Sequence, residues 1–142
     1  MEGNGSLKLE FNIERGDFAG AGDASRKIKK VLQSIGLNPG LIRKISIATY
    51  EAEMNLVIHS LGGKILVSVE KNNIIIAIED KGPGIENVEL AMTEGYSTAS
   101  NEIREMGFGA GMGLPNIKRC SDRMDIHSEL GSGTKIILYF NF

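Results

Sequence analysis

Hydrophobic and polar positions in the first part of the chain follow a strand spacing and then a helix spacing. Apolar residues alternate with more polar ones over residues 7–13, which predicts a strand with one buried face. After Asp17, apolar residues come to recur every three or four positions, and Gly36 follows the last of them. This pattern predicts a helix over residues 17–35 that is terminated by glycine.

A second helix and two strands form the middle of the pattern. Asn38 and Pro39 are typical of a helix cap and a first helical residue, and a long apolar stripe follows them. We expect this helix to run to about Ser60, before a glycine pair interrupts it. Strands are then predicted over residues 64–70 and 74–78, and the β-branched run of the second is typical of a central strand buried on both faces.

The C-terminal part alternates between helices, a glycine-rich stretch and strands. The spacing predicts a short helix over residues 87–93, a segment without periodicity, a helix from Leu114, and strands over residues 124–129 and 134–140. The order of all these elements predicts an α+β fold. We expect a two-layer sandwich in which helices cover one face of a mixed, mostly antiparallel sheet.

Composition narrows the class of protein. A chain of 142 residues has the length of one ordinary domain, so we expect a single domain over residues 1–142. The net charge of −2 does not indicate a nucleic-acid partner, and no apolar stretch approaches the length of a membrane span. A single cysteine and an N-terminus without a secretion signal favour the cytoplasm.

Glu51, Asn55 and His59 share one face of the second predicted helix, because they are spaced four residues apart. Carboxylate and amide oxygens suit Mg²⁺, which keeps several waters and shares substrate phosphates. A carboxylate one turn away could orient or deprotonate a nucleophilic hydroxyl. The alternative is an ordinary polar helix face, and a single histidine there is more often structural than a ligand.

Three glycine-containing sequences follow, and each is ambiguous by itself. Residues 80–84 end the buried strand, where Asp80 could accept a hydrogen bond from an exocyclic amine and Gly82 could admit a flat ring. Residues 107–114 open a helix whose N–H groups could bind phosphate. Residues 131–134 are predicted to form a hairpin turn that could place a hydroxyl near a bound base. The alternatives are a plain turn, a flexible loop before a capped helix, and another plain turn.

The four sequences, in this order, resemble the Bergerat-fold ATPases, the superfamily of gyrase, heat-shock chaperones, sensor histidine kinases and mismatch-repair proteins. This likeness covers roughly residues 40–140. The whole chain resembles the small anti-sigma-factor and switch-protein serine kinases of bacterial partner-switching systems. The residues that carry the likeness are Glu51-Ala52-Glu53-Met54-Asn55, Glu79-Asp80-Lys81-Gly82-Pro83-Gly84-Ile85, Gly95-Tyr96-Ser97-Thr98, Gly111-Met112-Gly113-Leu114-Pro115 and His127-Ser128-Glu129-Leu130-Gly131-Ser132-Gly133-Thr134.

The resemblance implies a role for each matching residue. Asn55 would hold Mg²⁺ against the triphosphate of ATP, Glu51 would be the catalytic base or orienting carboxylate, and Asp80 would accept a hydrogen bond from the adenine amino group. The other implied or candidate nucleotide-binding residues are Gly82 and Gly84 at the adenine, Gly107, Gly109, Gly111, Met112, Gly113 and Leu114 around the phosphates, Thr134 beside the base, and His59 on the helix face.

By the same resemblance, residues 95–112 would form a lid that closes over ATP. Arg104 in this lid would stabilise charge on the transferring phosphate, or would be a solvated surface arginine. Residues 100–106 look like an insertion relative to the shortest switch kinases, and Ala110 interrupts a denser glycine–leucine pattern. Both departures bear on partner choice and turnover more than on ATP binding.

Two functions fit these residues. One is a serine/threonine kinase that transfers the γ-phosphate of ATP to a hydroxyl of a small antagonist protein. The other is an ATP-dependent anti-sigma-type module that sequesters a sigma factor or another regulator without efficient transfer. The resemblance is also compatible with a homodimer. A histidine-kinase catalytic domain is disfavoured, because no dimerisation helix precedes the first strand. A domain without nucleotide would need four motifs to agree in order by chance.

Overall fold

The computed structural model describes residues 7–14, 16–17, 19–59, 62–80, 113–129 and 133–142. The predicted helix over residues 87–93 and the predicted lid over residues 95–112 lie outside these ranges. The glycine loop that follows Asp80 lies outside them too.

The described part of the chain contains three helices and five strands. In chain order they are β1 (Leu7–Ile13), α1 (Asp23–Ser34), α2 (Pro39–His59), β2 (Gly63–Val69), β3 (Asn73–Asp80), α3 (Gly113–Cys120), β4 (Arg123–Glu129) and β5 (Gly133–Asn141). The strands form one sheet in the order β1-β2-β3-β5-β4, and each neighbouring pair is antiparallel. The predicted α+β class is confirmed, and the described strands supply the antiparallel part of the expected sheet.

One face of the sheet and the three helices enclose the core. Alternate side chains of the three inner strands are buried on this face: Ile65, Val67, Val69, Ile74, Ile76, Ile78, Ile136, Leu138 and Phe140. They form one cluster with buried apolar side chains of the helices, namely Ile28, Leu32, Ile42, Ile45, Ala48, Ala52, Leu56 and Ile117. The alternation of the strands and the helical spacing of the helices thus meet at one interface.

The central strand β3 is buried on one face only. Ile74, Ile76 and Ile78 are buried, whereas Ile75 and Ala77 on the opposite face are partly exposed. Our prediction that this strand is buried on both faces was therefore wrong. The described helices all contribute to the cluster around Ile76, and β-branched residues favour a strand whether or not its second face is covered.

The N-terminus of α2 is capped as the sequence predicts. The Asn38 side-chain oxygen accepts hydrogen bonds from the backbone N–H groups of Gly40 (2.8 Å) and Leu41 (3.3 Å). Pro39 occupies the first helical position, where its missing N–H has no cost. Among the described helices, none, including this one of 21 residues, has the combination of length and apolarity required to cross a bilayer.

The N-terminus of α1 differs from the prediction. Asp17 accepts a hydrogen bond from the Gly20 N–H (3.0 Å) in a turn, and the helix begins only at Asp23 after Gly22, whose φ is 94°. The predicted start at Asp17 was therefore wrong, because its side chain closes a turn instead of capping the helix. The predicted stop is confirmed, since Gly36 has φ 79°.

Candidate nucleotide site

Asp80, the last residue of β3, is bound by a residue from the start of β5. The backbone N–H of Thr134 donates a hydrogen bond of 2.9 Å to Oδ1 of Asp80. The Thr134 hydroxyl lies 2.9 Å from the hydroxyl of Ser128 on β4. The structure thus joins the predicted adenine-binding carboxylate to the predicted supporting threonine, and it fixes the orientation of the carboxylate.

Two glycines lie on either side of Asp80 and leave no room for a side chain. A Cβ atom at Gly133 would lie 2.3 Å from the backbone oxygen of Asp80, and the φ of Gly133 is 95°. A Cβ atom at Gly63 would lie 2.2 Å from the backbone oxygen of Glu79 and 2.9 Å from Cα of Asp80. Our sequence reasoning gave Gly63 only the role of a helix breaker, because its pairing with Asp80 is known only once the strand register is known.

The second half of α2 packs against this end of the sheet. Leu56 is buried, and its Cδ2 atom lies 3.0 Å from the position of a Cβ atom at Gly63. Gly63 pairs directly with Asp80 across the β2–β3 ladder. Because Asn55 precedes Leu56 in α2, the helix segment that carries the predicted magnesium ligand lies at the strand end that carries Asp80.

Glu51 and Asn55 are both partly buried and lie one turn apart on α2. Their neighbours Ala52 and Leu56 belong to the core, which fixes the rotation of the helix. Burial raises the pKa of the Glu51 carboxyl, because the loss of water disfavours the charged form. A carboxylate with a raised pKa is a better proton acceptor near neutral pH.

Helix α3 follows the predicted phosphate-binding glycines and packs against α2. It begins at Gly113, in agreement with the helix start expected at Leu114. Pro115 and Ile117 are buried and anchor its first turns. The N-terminus of α3 is therefore held by the core next to the helix that carries Glu51 and Asn55.

The pKa of the Cys120 thiol, at the end of α3, depends on charged residues of α2. Burial raises the pKa of this thiol, the cations of Lys44 and Arg119 oppose the rise, and the Glu51 carboxylate adds to it. The contributions of Lys44 and Glu51 indicate that both residues of α2 lie near Cys120 at the end of α3. Glu51 itself is partly dehydrated, and this burial is the cause of its raised pKa.

Glu53 is a second carboxylate of α2, and our sequence reasoning gave it no role. It is only 2% exposed and accepts hydrogen bonds from the N–H groups of Gly22 (2.9 Å), Ala24 (3.3 Å) and Ser25 (3.1 Å). Glu53 therefore caps the N-terminus of α1 from another helix, where a negative charge is favourable. The signal in the sequence was a charged residue next to Ala52 in the apolar stripe.

Comparison with known proteins decides the family. Residues 40–142 match the model of the histidine kinase-, DNA gyrase B-, and HSP90-like ATPases. The chain belongs to this ATPase family. The predicted Bergerat-type resemblance is confirmed, and with it the use of ATP.

Curated relatives of this ATPase-family chain are regulators. It is 31% identical over 120 residues to the serine/threonine-protein kinase RsbT of Bacillus subtilis, covering 80% of this chain and 83% of RsbT. It is 34% identical over 113 residues to the anti-sigma F factor of Clostridium acetobutylicum, covering 75% of this chain and 76% of that protein. The predicted functional classes, kinase and anti-sigma factor, are confirmed at the level of these relatives.

Solved structures with the fold of this ATPase-family chain include two from further proteins. One holds the RsbU and RsbW domains of a Mycobacterium tuberculosis protein, with a TM-score of 0.64 and 16% identity over 95% of this chain. This chain spans 32% of that longer protein chain. The other is the SiaB–SiaC complex of Pseudomonas aeruginosa, with a TM-score of 0.52, 11% identity, and coverage of 94% of this chain and 89% of that one. At these identities the likeness supports the fold alone.

Several predicted site residues of this ATPase-family chain lie outside the described ranges. They are Gly82, Gly84, Arg104, Gly107, Gly109, Gly111 and Met112. His59 is the last residue of α2, and its side chain is not described. Of the described site residues, Asp80 and Thr134 are in contact. Glu51 and Asn55 lie on α2, and α3 packs against this helix.

Proposed function

We propose that this protein is a regulatory kinase that transfers the γ-phosphate of ATP to a serine or threonine hydroxyl of a small antagonist protein. The observation that carries the proposal is Glu51, a partly buried carboxylate with a raised pKa, one turn from Asn55 on the same helix of an ATPase-family chain. The kinase relative from Bacillus subtilis supports the reaction class.

Adenine recognition is assigned to Asp80. The Thr134 N–H donates to Oδ1 of this carboxylate, and Gly63 and Gly133 let the neighbouring backbones approach Asp80 more closely than a side chain would allow. A carboxylate accepts a hydrogen bond from the amino group of adenine. It would face the carbonyl of guanine without a donor between them, which costs roughly 1–3 kcal/mol.

Magnesium is the metal that fits the described residues. Among them, no group of three His, Cys, Asp or Glu side chains could hold a metal ion, so a site made of protein ligands alone is absent from that part of the chain. The Asn55 amide oxygen is a suitable donor for Mg²⁺, which otherwise binds water and substrate phosphates. When bound, Mg²⁺ would neutralise charge on the triphosphate.

Glu51 takes the role of general base in the proposed reaction. Its carboxylate accepts the proton of the attacking hydroxyl while that oxygen forms a bond to the γ-phosphorus. The bond from the γ-phosphorus to the bridging oxygen breaks, and ADP leaves with the electron pair. The raised pKa matches the carboxylate to this task, and general-base catalysis of this kind contributes about 10²–10⁴-fold in rate.

The remaining predictions complete the proposal. Residues 95–112 would form the lid, with Arg104 on the transferring phosphate and the glycines from Gly107 to Gly113 around the triphosphate. The protein would act in the cytoplasm as one domain over residues 1–142. Its partners would be an antagonist protein, a sigma factor or another regulator, and a second copy of itself.

The second candidate function is an ATP-dependent binding module. It is favoured by the anti-sigma F factors among the relatives, because an anti-sigma factor acts by holding another protein. The same nucleotide site would then shape a binding surface. Phosphate transfer separates the two functions, since a module of this kind would form a stable complex without labelling its partner.

The test mixes the purified protein with γ-labelled ATP and candidate antagonist proteins from the same organism. We expect label on the antagonist and a loss of roughly 100-fold or more in transfer rate for Glu51→Gln, with unchanged affinity for a fluorescent ATP analogue. Glu10→Gln is the matched control, because Glu10 lies on the open face of β1 and pairs only weakly with Lys64 at 3.8 Å. Full transfer by Glu51→Gln would show that Glu51 is not the base.

A further inference from the structure

A groove of about 920 Å³ is lined by residues of α1, of α2 and of the connection between them. Its walls are formed by Lys29, Gln33, Leu37, Pro39, Ile42, Arg43, Ser46, Ile47, Tyr50 and Glu51. It begins at the connection between the two helices and ends at Glu51. The twelve-residue step from Pro39 to Glu51 corresponds to about 18 Å of helix.

The groove lining combines apolar with polar and charged residues, and two of its large side chains are exposed. Ile47 and Tyr50 are 39% and 40% exposed, so an aliphatic side chain and an aromatic ring both face water at this surface. The Ser46 hydroxyl is buried and has no hydrogen-bond partner among the described residues. Exposed apolar side chains beside an unsatisfied polar group are typical of a surface that another molecule covers.

Both walls of the groove carry positive charge. Lys29 lies on the α1 wall and Arg43 on the α2 wall, and neither forms an ion pair with any described residue. Residues 24–50 contain six Lys or Arg residues and no Asp or Glu, in a chain whose net charge is −2. Among the described residues of the lining, Glu51 is the single acidic one, and it lies at one end.

We propose that the α1–α2 groove binds an acidic, amphipathic segment of the protein substrate and directs it towards Glu51. Apolar side chains of the segment lie on Ile47 and Tyr50, and its carboxylates pair with Lys29 and Arg43. A helical segment of about 12 residues matches the length of the groove. This inference rests on the proposed kinase function, because Glu51 both lines one end of the groove and acts as the proposed catalytic base.

The concave shape favours a peptide over a flat anionic surface. A bilayer would reach the basic rims but not the apolar floor formed by Leu37 and Ile42, which is partly or fully buried. A peptide helix can place one apolar face on the floor and acidic residues on both rims at once. The pairing of charges at the rims would set orientation and association rate.

The experiment uses two matched display libraries of amphipathic helices about 12–15 residues long, one with Glu and one with Lys at the polar positions. Binders are selected on the full protein, and their affinities are measured by fluorescence anisotropy. The groove variant is Lys29→Glu with Arg43→Glu. The control is Lys27→Glu with Lys30→Glu, which makes the same change in charge at exposed positions of α1 outside the groove lining.

We expect acidic helices to bind the wild-type protein and the control, and to bind the groove variant roughly tenfold or more weakly. The KM for a protein substrate should rise in the groove variant while kcat and ATP affinity stay unchanged. Tyr50→Ala should weaken binding without altering its salt dependence. Lysine helices should not be enriched.

Equal binding of acidic helices to the groove variant and the wild type would overturn the proposal, as would enrichment of lysine helices. The proposal would also be overturned if the groove variant abolished self-association of the protein, or its binding to anionic vesicles, and left the binding of acidic helices unaffected. Peptide binding and ATP binding are measured separately. A wild-type protein that binds acidic helices but transfers no phosphate would therefore contradict the kinase function and leave the groove intact as a docking site.

Discussion

The backbone N–H of Thr134 donates a 2.9 Å hydrogen bond to Oδ1 of Asp80, although 54 positions separate the two residues in the chain. The antiparallel pairing of β3 with β5 makes this contact possible, and Gly133 lets the two backbones approach. Asp80 is thereby oriented by the fold before any nucleotide binds. A preoriented carboxylate loses little side-chain freedom on binding, so its contribution to ATP affinity can be tested with little disturbance of the fold.

Asp80→Asn is expected to weaken ATP binding by roughly 10- to 100-fold, which corresponds to about 1–3 kcal/mol. The Asn oxygen can still accept the Thr134 N–H, and the amide NH₂ is then directed where the adenine amino group needs an acceptor. Thermal unfolding with and without ATP measures the effect. At ATP concentrations about 100-fold above Kd the wild type should gain roughly 2.7 kcal/mol, and the variant should gain much less.

The unliganded Asp80→Asn protein should unfold at nearly the wild-type temperature, since the side-chain oxygen of residue 80 still accepts the hydrogen bond from the Thr134 N–H. An ATP-induced shift equal to that of the wild type would contradict the assignment of Asp80 to adenine. GTP offers a second control, because removal of the carboxylate should weaken the preference for ATP over GTP.

Substitution of Gly133 tests the crowding around Asp80. A Cβ atom at this position would lie 2.3 Å from the Asp80 backbone oxygen and would require φ 95°. Gly133→Ala is therefore expected to destabilise the protein by more than the roughly 1–2 kcal/mol that left-handed backbone costs a non-glycine residue. It should also reduce ATP affinity, because Asp80 must move. Urea unfolding and titration with a fluorescent ATP analogue measure the two effects.

Gly36→Ala is the matched control for Gly133→Ala. Gly36 has φ 79°, and a Cβ atom there would have no heavy atom within 4 Å. It should show the cost of the backbone conformation, about 1–2 kcal/mol, without any loss of ATP affinity. If Gly133→Ala resembled Gly36→Ala in both measurements, the close approach to Asp80 would have no bearing on the site.

The contribution of Glu53 is predicted to be structural. Glu53→Ala removes the acceptor of three N–H groups at the start of α1 and leaves them in a buried place. We expect a loss of roughly 2–3 kcal/mol or more in unfolding free energy, since a hydrogen bond to a charged group is worth about 1.5–3 kcal/mol. Glu53→Gln should cost less, because one oxygen can still accept.

Hydrogen exchange identifies the mechanism of this loss. In Glu53→Ala the amides of Gly22, Ala24 and Ser25 should exchange faster relative to amides in the middle of α1, such as that of Lys30. The exposed Glu10→Ala serves as control and should leave both sets unchanged. Equal protection of the three amides in Glu53→Ala and wild type would refute the capping role.

Local chemistry explains which parts of the fold the sequence predicts. The cap of α2 lies within three residues, from Asn38 to Leu41, and was predicted correctly. The cap of α1 is Glu53, which lies 28 to 31 positions away from the residues it binds. No local sequence pattern predicts such a cap, so the helix start was placed at Asp17 instead of Asp23. A short-range hydrogen bond can be read from spacing, whereas a long-range one depends on tertiary packing.

The same distinction applies to the candidate site. The family was indicated by four sequences in order, namely the helix face with Glu51 and Asn55, residues 80–84, residues 107–114 and residues 131–134, because each is ambiguous by itself and their combination is specific. The two glycines that crowd Asp80 owe their importance to strand register, which the sequence alone does not provide. The partly exposed second face of β3 was missed because β-branched residues are favoured on either face of a central strand.

The raised pKa of Glu51 predicts two linked pH effects. Burial favours the protonated carboxyl in the folded protein, so Glu51 adds to stability at pH values below its ordinary value of 4.5 and this contribution is lost as the pH rises through the folded-state pKa. Glu51→Gln should therefore be more stable than the wild type at neutral pH, and the difference should disappear at pH values below 4.5. Urea unfolding at several pH values measures it.

Activity should follow the opposite direction. Phosphate transfer needs the ionised carboxylate, so the rate should fall on the acid side with an apparent pKa above 4.5, and the residual rate of Glu51→Gln should lack this limb. Stability and activity are thus coupled through one group, because the burial that makes the carboxylate a better base also makes its charge unfavourable in the folded state. If the pH profiles of wild type and Glu51→Gln had acid limbs with the same midpoint, the titration would belong to another group. If the wild type were more stable than Glu51→Gln at neutral pH, burial of the Glu51 charge would not be unfavourable.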